Sequence, residues 1–310
     1  MVVFVFGGSK SGKSNFAQNV SVKISNEKDL YYLATMIPYD EEDELRIKKH
    51  VTSRAGLGFK TLECAYDLNE VFDDGKINPD GSFLVESLTS LLSNIMFKNL
   101  EPDFNAWPKL DKMLRNFIQK SKNSIFVCDS IFADAEEYGA VTETFRQVLA
   151  KAACLVCELS DVAVEVKNGQ AYFIKGGDGI LQKKNDLKKY YFITGGAYNG
   201  KLDYAKKRFG LSDDDISFCD KNSEPDFSKR CVAYLENYVC FCLRNKIQPR
   251  TDWKADTIFI CTDIFCGVVP VDKDLREWRE KTGEYFQLIA DQSSCVRVCF
   301  GIPQEMGGGK

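Results

Sequence analysis

Eight residues near the start of the chain carry a chemistry that their spacing makes specific. Gly7, Gly8, Ser9, Lys10, Ser11, Gly12, Lys13 and Ser14 read G-x-x-x-x-G-K-S. Glycines at this spacing let successive backbone N–H groups curl around an anion. A helix beginning at the lysine turns its positive N-terminal end toward the same point. The Lys13 ammonium suits the β- and γ-phosphates of a nucleotide, and the Ser14 hydroxyl supplies an oxygen for Mg²⁺. The preceding run, Val2 to Phe6, is continuously apolar, as a buried strand feeding such a loop must be. The spacing predicts a phosphate-binding loop that holds a nucleoside triphosphate.

A second candidate is the one histidine of the chain, His50, in the stretch DEEDELRIKKH. On a helix Arg46 and His50 are four residues apart and share a face. Neutral imidazole can attack phosphorus, and the resulting phosphoramidate passes its group onward readily. A solvated histidine on a charged helix is the commoner occupant of such a position, and periodicity does not choose between them. The twelve cysteines lie in apolar stretches such as CLVCEL and YVCFCL, with no histidine beside them and no paired CxxC motifs. They read as small buried hydrophobes in a reducing compartment, without metal.

The elements that must position these residues alternate. VVFVF, LYYLAT, FKTLE, SFLVE and SIFVCD read as strands; helical patterns follow Lys13, DEEDELRIKKHV, LTSLLSNIMF, KLDKMLRNFIQ and TETFRQVLAK. Apolar strands alternating with helices predict an α/β fold with a mostly parallel sheet covered by helices, ligands binding at the carboxyl ends of the strands. VAVEV-KNGQ-AYFIK reads as a hairpin turning at Asn168-Gly169. A composition of 44% hydrophobic and 28% charged residues is that of a globular chain. A net charge of −4 gives no electrostatic reason to expect nucleic acid or an anionic membrane. No apolar run reaches spanning length, which predicts a cytoplasmic protein.

The opening pattern recurs. Tyr191 to Leu202, YFITGGAYNGKL, again gives a strand, paired glycines, four spacers and Gly-Lys, with Leu202 where Ser14 stood. The glycine-rich and then charged stretch from Gly176 reads as a linker. Two tandem, divergent units of one P-loop NTPase fold are therefore expected, residues 1–178 and a shortened copy at 189–310. In the second, helices are expected through FSKRCVAYLENYVCFCL and LREWREKTGEYFQLIA, with strands at TIFIC and SCVRVCF.

Four ordered motifs between residue 1 and about residue 98 resemble the bifunctional adenosylcobinamide kinase / adenosylcobinamide-phosphate guanylyltransferase family of cobalamin biosynthesis. They are GGSKSGKS, YYLAT followed by DEEDELRIKKH, Thr61-Leu62-Glu63, and LVESLTSLLSN from Leu84 to Asn94. The resemblance implies that His50 is a guanylylated nucleophile. It also makes Ala34, Thr35, Met36, Arg54, Glu63 and Glu86 candidates for contact with a guanine nucleotide, and it implies a corrinoid substrate and an oligomer. The family's next block, NEVGxGIVP with an arginine-rich FRDxxGxxNQ helix, is weak after Cys128, where a shortened helix is expected. It is better matched by Thr262 to Pro270 with Arg276, Arg279, Gly283 and Gln287. Two divergent duplicates account for this split, and so does a composite site.

The expected activities are phosphorylation of adenosylcobinamide by GTP or ATP with Mg²⁺, and transfer of GMP from GTP to the product through His50. The alternatives are an enzyme that keeps one activity only, and a nucleotide-binding regulatory or scaffold protein that binds GTP without turnover.

Overall fold

The computed structural model describes residues 1–306 apart from 27, 74, 100, 133–137, 178–188, 266 and 269. Most of the expected linker thus lies outside the described residues. The chain divides into two compact units. The first comprises Met1–Gly7, Lys13–Glu165 and Phe173–Ile180; the second comprises Gly8–Gly12, Val166–Tyr172 and Leu181–Lys310.

The first sheet is built from β1 (Val2–Gly7), β2 (Leu30–Ala34), β3 (Phe59–Glu63), β4 (Ser82–Glu86), β5 (Asn123–Asp129), β6 (Val162–Lys167) and β7 (Gln170–Lys175). Its order is β3-β2-β4-β5-β1-β6-β7, and β1 to β6 pair in parallel. The helices between them are α1 (Lys13–Ser25), α2 (Glu41–Ser53), α3 (Leu88–Met96), α4 (Ala106–Lys120) and α5 (Ala140–Leu159). The central strands are apolar at nearly every position because both faces are covered. Leu33, Phe83, Leu84, Val85, Ile125, Phe126 and Val127 are all fully buried. Phe83 stacks on Tyr31 at 4.9 Å and meets Phe117 of α4 edge-on at 5.7 Å.

Register fixes which residues reach the carboxyl rim. Gly7 lies opposite Asp129, and Ala34 lies opposite both Glu63 and Glu86. The expected hairpin turns at Asn168 (φ 50°) and Gly169 (φ 75°), the left-handed pair that a tight primed turn requires. One expectation is overturned: α5 is a full helix of 20 residues. CLVCEL continues it, since Val148, Leu149, Ala152, Leu155 and Val156 form one buried stripe at helical spacing.

The second sheet contains β8 (Tyr190–Gly195), β9 (Ile216–Phe218), β10 (Cys231–Ala233), β11 (Ile258–Thr262), β12 (Ser293–Cys299) and β13 (Ile302–Met306), with α6 (Lys201–Phe209), α7 (Leu235–Asn245) and α8 (Lys273–Asp291). Its order, β9-β10-β11-β8-β12-β13, has the connectivity of β2-β4-β5-β1-β6-β7. Alternate residues feed two apolar layers, Phe192 and Phe259 with Phe286 on one face, Ile193, Ile258 and Ile260 on the other. The helix expected from Phe227 is corrected. Cys231–Ala233 instead forms β10, paired in parallel with β9 and β11. Tyr234, at φ 62°, stops the strand before α7 begins, a backbone turn that an unbroken apolar run conceals.

Candidate functional site

β1 ends at Gly7 and α1 begins at Lys13, so Gly8 to Gly12 form the expected loop. Lys13 is buried, and its ammonium lies 2.7 Å from Asp129 Oδ1 at the end of β5. The Asp129 N–H donates to Thr89 Oγ1 at 3.1 Å. Burial works against the Asp129 charge, yet Lys13, by charge and hydrogen bond, holds the carboxyl below its ordinary range, helped by Thr89 and Arg46. Ser14 Oγ donates to Glu86 Oε1 at 2.8 Å. Glu86 Oε2 is buried and has no hydrogen-bond partner among the described residues. Burial pushes the Glu86 carboxyl up to about 7, against the pull of Ser14 and Lys13. A hydroxyl and two carboxylates, one with an unsatisfied oxygen, are the hard donors that Mg²⁺ takes. The residues present fit that ion.

The other rim residues are organised by the turn after β2. Thr35 N–H donates to Glu86 O, and Thr35 Oγ1 donates to the same carbonyl at 2.8 Å while accepting from Ser87 N at 2.7 Å. Asn94 Nδ2 bridges Thr35 O at 2.6 Å and Ala65 O at 2.8 Å, which locks the turn and explains the asparagine that closes the LVESLTSLLSN motif. Ala34 and Met36 flank Thr35 half-buried, and Glu63 is exposed at the end of β3. Arg54 lies 3.9 Å above the Tyr32 ring and donates to Thr61 Oγ1 at 3.2 Å.

His50 sits, half-buried, in the last turn of α2. That turn is tied to α1: Gln18 Nε2 donates to Ser53 Oγ at 3.3 Å, and Ser53 Oγ donates to His50 O at 3.0 Å. Gln18 is one turn beyond Ser14, so the histidine's main chain is two hydrogen bonds from the helix that opens the loop. Arg46, one turn before His50, is a charge that Asp129 feels. The structure thus gathers Lys13, Ser14, Ala34, Thr35, Glu63 and Glu86 at one rim and anchors the His50 turn to α1. Asp129 and Thr89 are site residues that the sequence reading did not single out. The available signal was an apolar strand ending in aspartate, the position that serves Mg²⁺ in P-loop proteins.

Residues 3–174, more than half of the chain, match the profile of the family described as cobinamide kinase / cobinamide phosphate guanyltransferase. The chain belongs to this family. No curated protein matches it. Among solved structures, one described as an ATPase domain is similar at 9% identity and a TM-score of 0.35, over 57% of this chain and 77% of that one. The flagellar accessory protein FlaH from Methanocaldococcus jannaschii is similar at 13% identity and a TM-score of 0.28, over 58% and 80%.

The second glycine loop lies beyond the span matched to the kinase/guanyltransferase family. Lys201 Nζ donates to Gly196 O of its own loop at 2.7 Å. Burial lowers its basicity, which Glu236 partly restores. Thr262 lies opposite Gly195, the register place that Asp129 holds opposite Gly7, and Thr262 N donates to Glu236 Oε2 at 3.0 Å. Leu202 thus stands where Ser14 does in the first loop, and a neutral Thr262 where the carboxylate Asp129 does. Arg276 donates to Pro270 O and Val271 O, and Arg279 to Val268 O. Both arginines brace the main chain after β11. No described helix is long and apolar enough to cross a membrane.

Proposed function

We propose that the chain carries both reactions of its family in cobalamin biosynthesis, as a cytoplasmic enzyme acting on a corrinoid and on GTP or ATP. The observation that carries this reading is the pairing of Lys13 with Asp129 and of Ser14 with Glu86, beside a His50 turn hydrogen-bonded to the same helix. In the kinase step the aminopropanol hydroxyl of adenosylcobinamide attacks the γ-phosphorus and loses its proton to solvent, while the bond from that phosphorus to the bridging β-phosphate oxygen breaks and the nucleoside diphosphate leaves. Lys13 leaves Asp129 for the phosphates and stabilises the charge that develops there. Ser14, with Asp129 and Glu86 close by, would hold Mg²⁺, which when bound would neutralise further phosphate charge. Ala34, Thr35, Met36, Arg54 and Glu63 line the guanine-nucleotide side.

In the transferase step a His50 ring nitrogen attacks the α-phosphorus of GTP, and pyrophosphate leaves. A phosphate oxygen of adenosylcobinamide phosphate then attacks the same phosphorus, the P–N bond breaks, and adenosyl-GDP-cobinamide departs with the imidazole restored. We further propose that residues 189–310 are a degenerate second copy of the fold. Supporting this are the matching strand order and two loops of one shape: Lys10 (φ 59°) and Gly12 (φ 91°) are repeated by Tyr198 (φ 58°) and Gly200 (φ 80°).

GTP labelled at the α-phosphorus tests the central claim. Wild-type protein acquires acid-labile label, and His50→Ala acquires none while still phosphorylating adenosylcobinamide. Labelling of the His50→Ala protein at the wild-type rate would remove the histidine from the mechanism.

A further inference from the structure

We infer that α8 sets the shape of the phosphate loop, with Gln287 as the positioning residue and Gly283 as the clearance that lets it act. The second unit includes Gly8–Gly12, and within it Gln287 Nε2 donates to the Lys10 carbonyl at 2.8 Å. Lys10 Nζ pairs with Glu280 Oε1 at 3.2 Å. A Cβ on Gly283 would stand 2.8 Å from both Lys10 Cβ and Lys10 O, so only glycine admits this approach. Glu280, Gly283 and Gln287 are three and four residues apart and share one face of α8.

The consequence follows from peptide geometry. A trans peptide is planar, so its C=O and the next N–H point in opposite directions. Gln287 holds the Lys10 carbonyl on the α8 side, which turns the Ser11 N–H away from that helix. The Ser11 carbonyl is held in turn by Gly169 N at 2.7 Å, which directs the Gly12 N–H oppositely. These two pinned carbonyls set the directions of successive N–H groups, the backbone device that makes an anion nest. The Ser11 N–H now closes on Gly8 O at 3.3 Å, a long bond that a phosphate oxygen can replace. Lys10 itself sits at φ 59°, a left-handed conformation that a non-glycine residue keeps only where its surroundings hold it.

This inference rests on the nucleotide-binding reading of the loop, and the test separates the two. GTP is titrated calorimetrically into the full-length wild type, Gln287→Glu, Gln287→Leu and Lys13→Ala, and the nucleotide-free melting temperature of each is recorded. Gln287→Glu keeps the shape and replaces the donor by an acceptor facing a carbonyl. Both Gln287 variants are expected to weaken GTP binding about five- to tenfold, with a melting temperature within about 2 °C of wild type. Unchanged GTP affinity in both, in a protein whose Lys13→Ala variant no longer binds, would overturn the inference and leave the nucleotide reading intact. A lowered melting temperature with unchanged affinity would do the same, by showing that Gln287 only packs. A wild type that fails to bind GTP would overturn both.

Discussion

Glu86 is a buried carboxyl that its neighbours satisfy on one side only. Its Oε1 accepts from Ser14 while Oε2 is buried without a described partner, and burial raises the carboxyl to about 7 from an ordinary 4.5. Between those values the folded protein holds a proton that the unfolded chain releases, so this group makes stability fall as pH rises through that window. The loss is on the order of 3 kcal/mol for a carboxyl raised from 4.5 to about 7. Urea unfolding without nucleotide or metal should therefore show Glu86→Gln more stable than wild type at pH 8 and similar to it near pH 4.5. Parallel pH profiles for the two proteins would show that Glu86 is ionised in the folded state. The loop itself was legible because glycine, lysine and serine at fixed intervals have few other uses. Glu86 was reached only through resemblance, and Asp129 was missed, because one acidic residue at a strand end carries no spacing of its own.

At the scale of elements, α2 has none of its residues buried and so lacks the packing that supports most helices. It depends on its cap: Asp40 Oδ1 accepts from Asp43 N at 2.8 Å, and four acidic residues occupy the first turn, where they favour the helix dipole. Asp40→Ala should cost the helix about 1 kcal/mol and slow guanylylation of His50 several-fold, with kinase turnover retained. Asp40→Asn, which keeps a capping oxygen, should restore the rate. Equal labelling rates in all three proteins would mean that the order of α2 does not limit transfer. The central strands of the first sheet were readable because burial on two faces demands uninterrupted apolar runs. The extent of α5 and the β10–α7 break were not, because an apolar cysteine-rich run fits a buried strand and a helix face alike, and only tertiary pairing decides.

For the whole molecule, the two loops divide chemistry unequally. Lys13 has Ser14, Asp129 and Glu86 around it, whereas Lys201 has Leu202 as its neighbour and spends its ammonium on Gly196 O. Titration should accordingly give one GTP per chain, lost in Lys13→Ala and changed less than about twofold in Lys201→Ala, within the range of a side chain that binds no ligand. Two nucleotides per chain, or loss of binding through Lys201 alone, would reverse the assignment of the active loop.

The second loop nevertheless makes one contact that the first also makes. Gly169 N donates to Ser11 O at 2.7 Å, and Gly301 N donates to Asn199 O at 2.9 Å. Both bonds join main chain to main chain, so neither depends on which side chains the loop carries. Substitution can therefore strip such a loop of every catalytic group while its path through space stays the same. Form held by backbone alone does not rest on the groups that do chemistry, so drift in sequence can erase the chemistry long before it disturbs the form.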